Sequence, residues 1–162
     1  MKILYLHGYK GKPNKRRIKY LEEMGFEVIA PYINYDKHPN VIENYKDIDY
    51  NYVIGNSLGG YVGFYLSEYK KIPSILINPP LYMNLNETIG LNIVFPEITT
   101  SCLETQTVIL GSDDDIVEPK QVIEWLTTNK PHCVNVDIIE DMGHKYTKKQ
   151  FIDFLQEIIK KW

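Results

Sequence analysis

The sequence predicts an α/β fold in which a mainly parallel sheet lies between layers of helices. Short apolar segments rich in β-branched residues alternate along the chain with segments whose apolar residues recur at helical spacing, which is the pattern of repeated βαβ units. The chain has 162 residues, of which 44% are hydrophobic and 24% are charged. This length matches one ordinary domain and leaves no room for two complete cores. We therefore expect a single domain over residues 1–162.

Six apolar segments have the length and composition of buried strands. The first is ended by His7-Gly8, the second by Pro31 and the fourth by Pro79-Pro80. Because proline and glycine interrupt strands, these residues mark strand ends. The predicted strands cover residues 2–6, 26–30, 52–54, 74–77, 107–110 and 134–139.

Helical segments lie between these strands. Asn14 is placed to cap a first helix that ends at Gly25. Pro119 suits the first turn of a later helix, and Thr147 and Gln150 form a capping-box pattern before the last one. The remaining predicted helices cover residues 41–46 and 58–69.

A segment of low charge separates the fourth and fifth strands. Residues 72–103 contain only two charged side chains, Glu87 and Glu97, and show no lasting strand or helix period. We interpret residues 83–95 as a substrate wall or a minimal lid. The alternative is a loop packed over the edge of the sheet. The segment is too short for a large cap domain.

Charge and cysteine content argue against several classes of protein. The net charge of −3 at pH 7 argues against a general nucleic-acid or membrane-surface binder, which normally has a basic excess. The two cysteines, Cys102 and Cys133, match no disulfide framework or zinc motif. No apolar run is long enough for a secretion signal or a membrane span. We expect a reduced, cytoplasmic protein.

A basic cluster near the N-terminus is a local exception to this charge balance. It forms either the solvent-facing side of the first helix or a basic rim that attracts anionic substrates. Its six members are Lys10, Lys12, Lys15, Arg16, Arg17 and Lys19.

The strongest chemical signal is Gly55-Asn56-Ser57-Leu58-Gly59, which fits the pattern G-x-S-x-G. An apolar strand precedes Ser57 and a helix follows it, as in a nucleophile elbow, where a sharp turn lifts the serine hydroxyl off the top of the sheet. The glycines allow neighbouring elements to approach this turn. We predict that Ser57 is a nucleophile; the alternative is a glycine-rich turn without chemistry.

A serine hydroxyl needs a base, and that base needs an orienting group. Asp114 lies within a run of three aspartates after the fifth strand, and His144 follows the sixth strand. Both are on loops after strand carboxyl ends, where open α/β sheets place their sites. The chain order serine, aspartate, histidine is that of the α/β-hydrolases.

The end of the first strand supplies a candidate oxyanion hole. Hydrolases of this type place a backbone N–H group there, facing the nucleophile, and we predict that the N–H groups of Tyr9 and Leu58 are the donors. His7 is a rival for the catalytic base. In the alternative, His7 packs and forms hydrogen bonds beneath the site.

Several stretches of the sequence resemble the small YqiA-like esterases of the α/β-hydrolase superfamily. The resemblance extends to the aspartate and histidine segments and covers nearly the whole chain. It implies a three-layer α/β-hydrolase fold with a six-stranded sheet, a minimal lid or none, and activity on short acyl esters. The matching stretches are Tyr5-Leu6-His7-Gly8-Tyr9, Gly55-Asn56-Ser57-Leu58-Gly59-Gly60-Tyr61 and Leu76-Ile77-Asn78-Pro79.

The resemblance also implies that Ser57, Asp114 and His144 form a catalytic triad. It selects Asp114 from the three aspartates because the acid of such hydrolases lies three residues after a glycine, here Gly111, and three before an apolar anchor, here Val117. The sequence differs from the family pattern directly after the histidine, where Lys145-Tyr146 replaces a small residue.

We expect neither a cofactor nor a metal. The three aspartates at 113–115 lack the glycine and the distal glutamate of a calcium loop, and His38 and His132 have no partner at metal-ligand spacing. Tyr61, beside the elbow, and Met83, in the low-charge segment, are our candidates for substrate binding.

The sequence thus predicts a serine esterase that forms an acyl-enzyme intermediate with a small acyl ester or thioester, and that binds neither nucleic acid nor membrane. One alternative is an acyl-CoA thioesterase with the same triad, in which the basic cluster holds the nucleotide phosphates. The other is a non-catalytic binding protein with a hydrolase shell.

Overall fold

The fold contains six strands, all in one sheet, in a computed structural model that describes residues 1–94, 106–129 and 134–160. The strands are β1 (Lys2–Leu6), β2 (Glu27–Ile29), β3 (Tyr52–Asn56), β4 (Ser74–Ile77), β5 (Gln106–Gly111) and β6 (Val134–Ile139). Their order is β2-β1-β3-β4-β5-β6, and every neighbouring pair is parallel. The predicted parallel α/β sheet is confirmed, and its carboxyl ends share one edge.

Helices cover both faces of the sheet. They are α1 (Lys15–Glu23), α2 (Val41–Lys46), α3 (Leu58–Lys70), α4 (Leu85–Ile89), α5 (Pro119–Asn129) and α6 (Lys148–Ile159). Buried side chains of α1 and α6 pack on one face, and those of α2, α3 and α5 pack on the other. The result is the predicted three-layer arrangement.

The alternation of side chains along β1 shows how the strands serve both layers. Ile3 and Tyr5 belong to the core beneath α1 and α6, whereas Leu4 and Leu6 belong to the core beneath α3. Successive strand residues point to opposite faces, so a strand buried on both faces needs apolar residues at every position.

The predicted helix ends of α1 and α6 are confirmed. The side-chain oxygen of Asn14 accepts hydrogen bonds from the backbone N–H groups of Arg16 and Arg17 at 3.1 and 3.3 Å. Thr147 and Gln150 form both hydrogen bonds of a capping box. These contacts satisfy backbone donors that the first turn of a helix leaves without partners.

The structure differs from the predicted elements at several strand ends and by one added helix. Strands β3 and β5 are longer than the predicted 52–54 and 107–110. Strand β2 is limited to Glu27–Ile29, shorter than the predicted 26–30. Helix α4 was not predicted; its N-cap is Asn84, and Leu85 is buried in the core on the α3 face. Residue 95 of the proposed lid segment, both cysteines and His132 lie outside the described residues. Within the described ranges no helix is long and apolar enough to cross a membrane.

Candidate active site

Ser57 lies in the sharp turn between β3 and α3. Its backbone has φ 53° and ψ −123°, a left-handed conformation that is costly for any residue with a side chain. The N–H group of Ser57 donates to the carbonyl of Ile77 at 2.8 Å, which ties the turn to the end of β4. The serine is therefore held in a strained turn at the carboxyl edge of the sheet.

The two glycines of the G-x-S-x-G pattern are required by close approach of the backbone. A Cβ atom on Gly59 would lie 2.4 Å from the carbonyl oxygen of Leu6, and one on Gly55 would lie 2.3 Å from the carbonyl oxygen of Gly59. Both distances are far below van der Waals contact, so side chains are excluded there. The absence of side chains lets α3 begin directly against β1 and β3.

His144 contacts both of the other predicted triad residues. Its Nε2 atom lies 2.9 Å from Ser57 Oγ, and its Nδ1 atom lies 2.8 Å from Asp114 Oδ2. When Nδ1–H donates to the carboxylate, Nε2 is left as an acceptor for the serine proton. Side chains separated by 87 and 30 positions in the sequence thus form one hydrogen-bonded chain.

Asp114 is the aspartate of the run that reaches His144. It is buried, and its Oδ1 atom also accepts the backbone N–H groups of Ile116 and Val117 at 2.9 and 2.8 Å. Asp113 is exposed and accepts a hydrogen bond from the Ser112 hydroxyl. The turn that follows β5 therefore fixes the Asp114 carboxylate by its own backbone.

Asn78 is a residue of this site for which the sequence predicted no role. It follows β4 with φ 47° and is buried. Its amide nitrogen donates to the carbonyl of Gly143 at 3.2 Å, and its side-chain oxygen accepts the N–H of Gly111 at 2.9 Å. Asn78 thus joins the loop that carries His144 to the strand end that precedes Asp114.

His7 is buried below the elbow, with both ring nitrogens in hydrogen bonds. Its Nε2 accepts the backbone N–H of Ile33 at 2.9 Å, so Nδ1 carries the proton and donates to the carbonyl of Gly8 at 2.8 Å. Burial lowers the pKa of His7 below its ordinary value of 6.5. These contacts favour the interpretation in which His7 packs beneath the site over the one in which it is the catalytic base.

The two predicted oxyanion donors belong to segments that adjoin Ser57. Leu58 is the first residue of α3, so its N–H is among those without an intrahelical partner. A Cβ atom on Gly8 would lie 3.1 Å from Ser57 Cβ, which places the segment before Tyr9 beside Ser57. The Tyr9 hydroxyl donates to Asp36 at 2.8 Å and holds this loop.

A cleft of about 250 Å³ opens at Ser57 and His144. Its wall includes the β1–α1 loop and the residues that follow His144. Tyr61 and Met83, our candidates for substrate binding, line a different cavity of about 270 Å³ beside α4. The structure therefore brings Ser57, Asp114 and His144 together but places Tyr61 and Met83 away from this cleft.

Residues 2–160 match one known protein family along almost their whole length. The chain belongs to the uncharacterised protein family UPF0227. This membership agrees with the YqiA-like resemblance of the sequence. No curated protein is a significant match.

Solved structures show the fold that this UPF0227 chain shares. An esterase from Pyrococcus furiosus is similar with a TM-score of 0.66 and 19% identity, over 99% of this chain and 83% of that one. A serine hydrolase without a lid from Xanthomonas campestris is similar with a TM-score of 0.60 and 20% identity, over 99% of this chain and 82% of that one. A monoacylglycerol lipase from Paleococcus ferrophilus is similar with a TM-score of 0.66 and 14% identity, over 98% of this chain and 94% of that one. The chain has the α/β-hydrolase fold.

Proposed function

We propose that this chain is a serine esterase that cleaves short-chain acyl esters through Ser57, His144 and Asp114. The observation that carries the proposal is the pair of contacts made by the His144 ring, 2.9 Å to Ser57 Oγ and 2.8 Å to Asp114 Oδ2. A base within hydrogen-bond reach of a serine, itself oriented by a third group, is the arrangement that activates a hydroxyl nucleophile.

The first half-reaction forms an acyl-enzyme. Ser57 Oγ attacks the ester carbonyl as its proton moves to His144 Nε2, and Asp114 stabilises the imidazolium ring. The negative charge on the carbonyl oxygen is held by the N–H groups of Tyr9 and Leu58. His144 then gives its proton to the leaving alcohol as the C–O bond breaks.

The second half-reaction restores the enzyme. A water molecule gives a proton to His144 Nε2 and attacks the acyl carbon, and His144 returns the proton to Ser57 Oγ as the acid leaves. His7 takes no part in this scheme because Ile33 and Gly8 occupy both of its ring nitrogens.

Labelling with a fluorophosphonate, followed by mass spectrometry of the adduct, tests the nucleophile. We expect the adduct on Ser57, and we expect Ser57→Ala to lower the hydrolysis of p-nitrophenyl butyrate by about 10⁴-fold or more. Thr127→Ala, which removes an exposed hydroxyl of α5 that bonds only within its own helix, serves as the control. Absence of both the adduct and turnover would identify the chain as a non-catalytic binding protein.

A thioesterase that uses the same three side chains is the second candidate. The cationic side chains in the wall of the cleft favour it, since coenzyme A carries several phosphates. Salt-sensitive affinity for acyl-CoA, measured beside a neutral ester of the same acid, distinguishes the two activities.

A further inference from the structure

The charged side chains that line the cleft at Ser57 are all cationic or can become so. Three cationic side chains line it, Lys12, Arg17 and Lys145, and none of the Asp and Glu residues in the part of the chain that the structure describes does so. A cleft lined by one sign of charge raises the local concentration of ligands of the opposite sign. The cations border the same small space as the nucleophile, so they face the bound substrate itself.

Arg17 is the cation that the structure holds most firmly. Its guanidinium carbon lies 3.8 Å from the centre of the Tyr146 ring, and Nη2 donates to the Tyr146 carbonyl at 2.9 Å. Among the ion pairs of the described residues, none includes Arg17, whereas Lys19 on the same helix pairs with Glu23. Arg17 is therefore a half-buried, oriented cation with no carboxylate partner there.

The phenols beside Arg17 add no negative charge. Tyr5 and Tyr146 both line the cleft, and burial raises the pKa of each phenol above its ordinary value of 10.0. Both stay neutral at physiological pH, so they do not neutralise the guanidinium. A guanidinium presented in this way matches the planar geometry of a carboxylate or phosphate.

The position of these cations indicates which half of the ester they contact. The leaving alcohol must lie against His144 Nε2, because that atom gives the alcohol its proton. Lys145 and Tyr146 follow His144 directly in the chain, and Arg17 is bound to Tyr146. The cations therefore line the same cleft as the histidine that gives the alcohol its proton.

We propose that the cleft selects esters whose leaving alcohol carries a carboxylate or phosphate close to the ester oxygen. The inference rests on the proposed esterase function and names its substrate class. The volume of about 250 Å³ suits a small alcohol. In the reaction Ser57 takes the acyl group, and the alcohol leaves as a neutral hydroxyl with the proton from His144. Its anionic group, bound by Arg17 during acylation, departs with it before water enters to hydrolyse the acyl-enzyme.

Two matched pairs of acetyl esters test this selection. Acetoxyacetate is compared with acetoxyacetamide, and the acetyl ester of glycerol phosphate with that of glycerol, by acid release at neutral pH. We expect kcat/KM to favour an anionic member in the wild type, and salt to reduce this preference. The carboxylate and phosphate pairs distinguish the two anions.

Variants assign the preference to residues, and intrinsic differences between the two esters cancel when each variant is compared with the wild type. We expect Arg17→Gln to reduce the ratio of anionic to neutral kcat/KM by about tenfold or more, the effect of one charge-assisted hydrogen bond. Lys145→Gln, at an exposed position, should reduce it by about threefold. Arg16→Gln, on the same helix but outside the cleft, should leave both rates unchanged.

The outcomes separate this inference from the esterase function. Turnover of neutral esters with no anionic preference, or with a preference that Arg17→Gln leaves intact, would overturn the inference and leave the esterase. Arg17-dependent hydrolysis of butyryl-CoA without discrimination within the small pairs would also overturn it, because the anion would then lie far from the ester bond. Absence of both turnover and a Ser57 adduct would overturn the esterase function and, with it, the selection of anionic esters.

Discussion

The contact between Asp114 and His144 separates this aspartate from its neighbours on either side. In Asp114→Asn the amide oxygen can still accept the N–H groups of Ile116 and Val117, but an amide N–H faces His144 Nδ1 and favours the wrong tautomer. We expect a loss of about 10⁴ in kcat, as in the corresponding change in serine proteases. Steady-state hydrolysis of a p-nitrophenyl ester measures this loss.

The neighbouring aspartates are the matched controls for this change. Asp113→Asn and Asp115→Asn should stay within about tenfold of the wild type, because both side chains are exposed and His144 contacts neither. Equal losses in all three variants would refute the assignment of Asp114.

Asn78 provides a second prediction for a single residue. In Asn78→Asp the oxygen that accepts from Gly111 remains, while the donor to the Gly143 carbonyl becomes an acceptor. The loop that carries His144 loses its tie to β4, and we expect kcat to fall about 10–100-fold, the usual cost of a catalytic group displaced by about 1 Å. KM should change little, since Asn78 acts through His144 and does not contact substrate.

Asn84→Asp is the control for this position, because aspartate caps a helix as well as asparagine does. Thermal unfolding of both variants reports on the fold separately. A drop in kcat that follows only from unfolding, or a rise in KM alone, would assign Asn78 a merely structural role.

Single residues differ in how visible their roles are in the sequence. The contact between Ser57 and His144 was predictable because a local motif and the chain order of the proposed triad carry the signal. The role of Asn78 was not, since its partners Gly111 and Gly143 are backbone groups 33 and 65 positions away. The wall containing Arg17 and Lys145 joins residues more than 120 positions apart, and no local pattern encodes that.

At the scale of elements, the end of β5 packs directly against the loop before His144. A Cβ atom on Gly111 would lie 2.0 Å from the Met142 carbonyl oxygen, so Gly111→Ala forces the two loops of the site apart. We expect the free energy of unfolding to fall by about 1–3 kcal/mol, as for other overpacked positions. Urea denaturation measures the change.

Gly143→Ala is the control for Gly111 in the same pair of loops. Its added Cβ would meet only ordinary contacts of 3.5 Å or more, and the loss of stability should stay below about 1 kcal/mol. Equal losses of stability in the two variants would show that the close approach of Gly111 to the Met142 carbonyl is not the cause of the loss.

Elements bounded by capping residues were predicted best. Asn14 and Thr147 use side-chain contacts within three residues, which the sequence displays directly. Helix α4 is only five residues long and too short for a periodic pattern, so its existence depends on the packing of Leu85 into the core. Strand ends shifted at β2 because pairing with β1, at Glu27 to Ile29, sets its length.

For the whole molecule, His7 links stability to pH. Burial lowers its folded-state pKa below the value of 6.5 expected in the unfolded chain. The unfolded state therefore takes up a proton first, and stability that is complete above about pH 6.5 is lost as the pH falls toward the folded-state pKa. We expect the free energy of unfolding to decline as the pH falls below about 6.5, measured by urea denaturation.

Two histidine variants isolate this contribution. His7→Gln should be less stable at neutral pH and show a shallower decline with falling pH. His38→Gln, at an exposed position, should keep the slope of the wild type. A slope unchanged in His7→Gln would remove His7 as the cause.

The left-handed backbone at Ser57 implies a trade-off between the proposed activity and the stability of the fold. Because φ is 53° there, glycine fits the turn better than any residue with a Cβ atom. We expect inactive Ser57→Gly to exceed Ser57→Ala in free energy of unfolding by about 1 kcal/mol, whereas lower stability than Ser57→Ala would show a relaxed turn. A laboratory selection for heat resistance alone would then tend to replace Ser57 with glycine.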